Sequence, residues 1–232
     1  MFGFKKEKEE IKPKKSGGIA FFITLICLIF ISLFNLISLP SLFDENSPSN
    51  WLQFIIGVVI GLLIAEVFIV KHFSVACHEL KHYLLAAFAG NKFKELCVKE
   101  KTGHYTYSYT KDSAKYNAMI ALAPYWFPLM TIFAAFLAVP IYFSIPELTI
   151  PLIGIGVGAD LLMNMRDISP HQTDLTYIRG GFKVALAFII SMNLTILTLI
   201  AAWVSQGLAG FKMLFSNTFD LILTLYLYFK HL

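Results

Sequence analysis

The chain has 232 residues, 57% of them hydrophobic and only 15% charged, with a formal net charge of +4. Soluble domains carry about 25% charged residues, and here apolar runs near the ~20 residues that cross a bilayer recur along most of the length. Disordered, collagenous and disulfide-scaffold classes are excluded, and the Lys and Arg residues sit in short segments between apolar runs, the pattern of membrane topology and not of nucleic-acid binding. The expected fold class is an all-α polytopic membrane protein with about six transmembrane helices and a small β-hairpin.

Residues 1–17 form a basic tail, too long and too mixed in charge for a signal-peptide n-region. Residues 18–50 supply a first transmembrane helix over 19–39, ended by Pro40, and the short acidic outer loop SLFDENSPSN, in which Ser49 or Asn50 is placed to cap the next helix. The membrane core is expected over 51–204. Its first stretch, 51–89, is apolar apart from Glu66, Lys71, His72 and the cluster from His78 to His82. One continuous helix of that length would measure roughly 58 Å, well beyond the ~30 Å hydrocarbon core. The stretch therefore either tilts and protrudes or breaks near Lys71 and His72.

Residues 91–115 are polar and carry six lysines, and FKELCVKE and HYTYSYT alternate in polarity on either side of Lys101 to Gly103, which predicts a β-hairpin at 92–111. Apolar runs follow at 116–143, with kinks expected at Pro124 and Pro128, and at 148–165. After the connector RDISPHQTDLTYIRGG comes a run at 182–204. Residues 205–232 hold a C-terminal helix at 211–229 that spans the membrane or lies in its interface, since it contains Lys212 and Asp220. Gly57, Gly61, Gly154, Gly156 and Gly158 are assigned to close helix packing. If 51–89 makes one net crossing, every basic segment falls on one side, which the positive-inside rule places in the cytosol. The chain is thus expected in the cell membrane with a cytosolic N-terminus.

The motif that carries chemistry is His78-Glu79-Leu80-Lys81-His82, an HExxH in a helix-forming stretch. Histidines at i and i+4 share one helical face, so both imidazoles can reach one zinc ion. The adjacent glutamate is placed to take a proton from a water that the metal acidifies. Two histidines and a glutamate within an apolar stretch are costly and point to function. A catalytic zinc needs a third protein ligand and an open position. Glu95 and Glu100 lie downstream in the lysine-rich hairpin, where salt pairing is the plainer role. Asp160, Asn164 and Asp167 form one polar stripe at i, i+4 and i+7, and Asp174 follows in the connector.

An HExxH in a membrane helix, a hairpin with a glycine (Gly103) and a distant Pro-containing turn ending in Asp resemble the site-2 protease family of intramembrane zinc metalloproteases, over roughly 74–204. In that family the turn's Asp is the third zinc ligand. The matching stretch runs from Asp167 through Pro170 to Asp174. The resemblance implies that His78, His82 and Asp174 hold Zn2+, with Asp167 second and His171 third in line for the third ligand. It makes Glu79 the general base, and it implies a membrane-embedded or membrane-proximal protein substrate. Lys81 stands where the family has glycine in HELGH, and Leu175 follows Asp174 where the family has glycine. The partners expected are that substrate and the lipid bilayer, with no nucleic acid. The alternatives are an ion or metal transporter using Glu66, Asp160 and Asp167 as a path, and a non-catalytic protease-like regulator.

Overall fold

In the computed structural model, which describes residues 15–43, 48–68, 71–99 and 102–230, the apolar runs are helices. Residues 1–14 of the expected tail, 44–47 of the outer loop, 69–70 at the expected break, Glu100 and Lys101 at the hairpin turn, and His231 lie outside the described residues. Among the described residues the helices are α1 (Ile19–Ser38), α2 (Pro48–Phe68), α3 (Lys71–Phe88), α4 (Asn117–Leu122), α5 (Leu129–Tyr142), α6 (Thr149–Asp167), α7 (Thr173–Thr176), α8 (Gly181–Gln206) and α9 (Leu208–Lys230). Two antiparallel strands, β1 (Lys92–Val98) and β2 (Gly103–Ser108), stand between α3 and α4.

Five helical stretches are long and apolar enough to cross a membrane: Ile19–Leu42, Pro48–Val67, Pro146–Asp167, Gly181–Gln206 and Leu208–Lys230. Their flanks keep Ile23, Phe30, Ile55, Val59 and Leu63 exposed, a belt that a water-soluble surface does not carry. The chain is a membrane protein. The expected run at 116–143 is not one helix: Ser113–Tyr125 and Leu129–Tyr142 meet at 73°, and counting this bent pair as one span raises the number to six. Of the stretch expected at 51–89, the described residues form α2 and α3, and the expected break falls at 69–70, outside them. α2 alone, at 21 residues, is about the length that spans the ~30 Å core. It opens at Pro48, ahead of the expected caps, and Asn50 instead donates from Nδ2 to the Val204 carbonyl at 3.2 Å.

Glycines set the closest helix pair. A Cβ on Gly57 or Gly61 of α2 would strike the backbone of Pro151 or Ile155 in α6. One on Gly154 or Gly158 would strike the carbonyls of Phe54 or Val58 in α2. With no side chain there, the two backbones touch, and small residues serve this purpose between membrane helices. Gly156 faces the other way, onto Met130 and Thr131 of α5. Arg166 closes the end of the seam by pairing with Glu66. Polar side chains join the remaining spans, as where Asn35 of α1 donates to Thr198 Oγ1 of α8 at 3.2 Å.

Three local features bring the chain back towards α3. The helix α3 ends on Gly90 (φ +74°), whose amide donates to Ala87 while that of Asn91 donates to Ala86. This left-handed cap reverses the chain so that the hairpin lies along α3. The break at Pro124 to Pro128 carries α4 past the same helix. The connector after α6 folds into α7 and turns into α8 through Gly180 and Gly181, at φ +89° and +69°. A buried cluster of Phe21, Leu25, Tyr125, Trp126, Leu175, Ile178 and Phe188 joins α1, the break, α7 and α8 behind the site. Ser16 straps onto this connector, its amide donating to Tyr177 O at 2.9 Å and its carbonyl accepting from the Arg179 amide at 2.8 Å.

Candidate metal centre

The helical period of α3 puts His78 and His82 one turn apart, with ring centroids 5.1 Å apart. The connector after α6 supplies the third group. His78 Nε2 lies 3.5 Å and His82 Nε2 3.4 Å from Asp174 Oδ2, and the three ligand atoms all fall within 4.8 Å of one another. Hydrogen bonds between nitrogen and oxygen run at about 2.7–3.2 Å. Zinc bonds of about 2.0–2.2 Å at tetrahedral angles separate ligand atoms by about 3.3–3.6 Å. The spacing suits a shared tetrahedral ion better than two direct hydrogen bonds.

The outer nitrogens decide which ring atom faces inward. His78 Nδ1 is 2.9 Å from Asp167 Oδ2, and His82 Nδ1 donates to the Ile120 carbonyl at 2.8 Å. A carbonyl can only accept, so His82 carries a hydrogen on Nδ1, and in its neutral form it presents the Nε2 lone pair to the site. Carboxylate and carbonyl partners of this kind orient metal-ligating histidines. The structure thus places Asp167 behind His78 and Asp174 in front of both rings. His171 is exposed, its amide on Ser169 Oγ at 3.3 Å. Glu95 lies 3.6 Å from His104 on the exposed hairpin, apart from the ligand group.

Pro124 and Pro128 explain where the free carbonyls come from. In an unbroken helix the amide at 124 would bond Ile120 O and the amide at 128 would bond Pro124 O. Proline has no N–H, so neither bond forms: Ile120 O accepts only the Ala123 amide from its own segment and keeps a second lone pair, and Pro124 O is left for another donor. His82 takes the first and Lys81 the second, its Nζ 3.4 Å from Pro124 O. Asn193 of α8 takes a third acceptor at the same break, Tyr125 O, at 3.0 Å. The prolines were legible as kinks; the use of the acceptor capacity they leave was signalled only by the four-residue offset from Ile120 to Pro124.

A cavity of about 500 Å³ opens onto the site. His78, Glu79, His82, Asp167 and Asp174 line one wall, and Gly103, His104, Tyr105 and Tyr107 of the hairpin line the other. Glu79 is 6% exposed and packs against Gly103: a Cβ there would come within 2.7 Å of its Cγ and Oε1. Tyr125 brackets the site from below, its ring edge-on to His78 at 5.6 Å and its hydroxyl 3.5 Å from Asp174 Oδ2. Burial by itself would favour neutral Asp174, but the two facing imidazoles outweigh it and hold the carboxyl well below the usual carboxylate range. Burial pushes the Tyr107 hydroxyl far above the usual phenol range, so it stays a neutral donor, 3.3 Å from Asn117 Oδ1. Gly103's contact, Tyr125 and the Ile120 carbonyl are the features of the candidate site that the sequence did not assign.

The acids proposed for an ion path are each engaged. Glu66 pairs with Arg166, Asp160 lies 3.3 Å from Lys81 Nζ, and Asp167 holds His78. No protein-family model, curated protein or solved structure matches the chain.

Proposed function

We propose that this chain is an integral-membrane zinc metalloprotease of the site-2 kind, hydrolysing peptide bonds of membrane-embedded or membrane-proximal proteins. The observation that carries this reading is the convergence of His78 Nε2 and His82 Nε2 on Asp174 Oδ2 at zinc-ligand spacing, with Glu79 in the same cavity. His78, His82 and Asp174 would hold the metal, three protein ligands as in catalytic zinc sites, beside the cavity they help to line. Zinc in that site supplies Lewis acidity, lowering the pKa of a water to about 7. Glu79 accepts the water's proton and returns it to the leaving amine, while Asp167 and the Ile120 carbonyl keep the imidazoles in register. An extended substrate segment has the hairpin beside it, and strand addition to a sheet edge is a general way to hold a peptide open.

The proposed setting is the cell membrane, with six crossings and the tail, hairpin and connector on the cytosolic side, from which water reaches the cavity. The transporter reading requires an available acid path, and Glu66, Asp160 and Asp167 each have a partner already. Elemental analysis of the detergent-purified protein tests the centre. About one zinc per chain is expected in the wild type, lost in D174N and retained in E79Q. With a membrane-protein substrate, E79Q abolishes cleavage; retained proteolysis in that variant rejects the mechanism, and zinc-free wild type rejects the centre.

A further inference from the structure

Lys81 is one of the two unspecified residues of the HExxH sequence and is outside the ligand set, yet it is only 1% exposed. An ammonium buried that deeply is costly unless it is paired and hydrogen-bonded. Its Nζ donates to Asn164 Oδ1 at 2.8 Å and to the Pro124 carbonyl at 3.4 Å, and it lies 3.3 Å from Asp160 Oδ1. The other Asp160 oxygen accepts from the amide and hydroxyl of Thr131, at 2.8 and 2.9 Å. These partners belong to the two bodies that hold the outer nitrogens of the histidines. One is α6, which also carries Asp167. The other is α4 with the proline break that ends it, which carries Ile120 and Pro124.

We propose that Lys81 is a positioning residue of the metal centre. Its ammonium pins α3 to α6 and to the break in the register at which His78 meets Asp167 and His82 meets the Ile120 carbonyl. Two hydrogen bonds, to Asn164 and the Pro124 carbonyl, and the ion pair with Asp160 fix the rotation and height of α3, which an apolar side chain of the same length would leave free to slide. The glycine seam between α2 and α6 and the cluster around Phe21 and Phe188 do not involve Lys81. Losing the ammonium therefore loosens α3 and leaves the spans in place.

This inference rests on the zinc-centre reading, and its test separates the two. The full chain in detergent is compared as wild type, K81M and the charge-balanced K81M/D160N. Zinc affinity is measured by competition with a chromophoric chelator, geometry by the visible absorption of the cobalt-loaded proteins, and loosening by hydrogen exchange of the metal-free proteins. Both variants are expected to bind zinc about tenfold or more weakly, the scale on which losing an outer partner acts, with an altered cobalt band and faster exchange in α3 but not in α2 or α6. Zinc affinity within about twofold of wild type and an unchanged cobalt band overturn the proposal. Should K81M fail to fold, K81M/D160N, which leaves no unpaired buried charge, carries the test by the same readouts. If wild type takes no zinc, the centre reading falls. The exchange of α3 in the double variant then decides for Lys81 if it rises and against it if it does not.

Discussion

His78 and His82 differ in what holds their outer nitrogens, and so in how firmly each is held to one tautomer. His82 bonds a carbonyl, which cannot donate; His78 bonds a carboxylate, which adds charge and raises ligand basicity. Replacing Asp167 by Asn is expected to weaken zinc by about 10–100-fold without removing it, whereas D174N, on the proposed reading, removes a ligand. A chelator titration of the two variants separates them, and equal losses would mean that the roles of the two acids are not as assigned. P124A is a sharper test. Taking a proline out of a helical stretch ordinarily stabilises by about 3 kcal/mol, but here the restored amide would compete with His82 for the Ile120 carbonyl. Zinc affinity is expected to fall even if the melting temperature rises; both rising together would refute the role given to that carbonyl. The pair His78 and His82, with Glu79 beside the first, was legible because helical spacing alone puts both rings on one face. Lys81 was not, because its partners Asp160 and Asn164 lie in a different helix and nothing local marks a buried ammonium. The polar stripe at Asp160, Asn164 and Asp167 was visible as a stripe, but which acid stands behind a ring and which before it is a tertiary fact.

At the scale of elements, the hairpin and α3 share one contact that leaves no room for a methyl group. G103A must displace the hairpin or Glu79, since the new Cβ would meet Glu79 Oε1 at 2.7 Å and Val75 Cγ1 at 2.8 Å. A shift of about 1 Å in a reacting group can cost about a hundredfold in rate. G103A is therefore expected to keep its zinc and lose cleavage on that scale, and full activity in the variant would show that the hairpin is not coupled to the base. The α2–α6 seam makes a separate prediction. G158L forces a side chain between touching backbones and is expected to lower stability by about 1–3 kcal/mol, read as a fall in thermal melting in detergent. The hairpin and the glycine packing could be anticipated from alternating polarity and from small residues in apolar runs. The division of 116–143 into two helices at 73° could not, because two prolines mark a kink without setting its angle.

At the scale of the molecule, the proposed six crossings would place the turn after α5 and the segment after the hairpin on opposite faces of the bilayer. Single cysteines at exposed positions test this, on a background lacking Cys27, Cys77 and Cys97. S144C and K111C are expected to react with a membrane-impermeant maleimide from opposite sides, and reaction from one side would rule out the crossing count. This arrangement rests on the basic segments, because charge asymmetry is encoded locally while helix packing is not.

The strap between Ser16 and the connector gives the centre a place in the life of the nascent chain. His78 and His82 leave the ribosome long before Asp174, and Ser16 waits at the start of the chain for Tyr177 and Arg179 to follow. A chain halted before that point has two imidazoles, no third ligand and an unlatched first helix. On the proposed reading, hydrolytic competence arrives only once α6 has been threaded and the chain's beginning has met its later connector, so an interrupted product is an inert one.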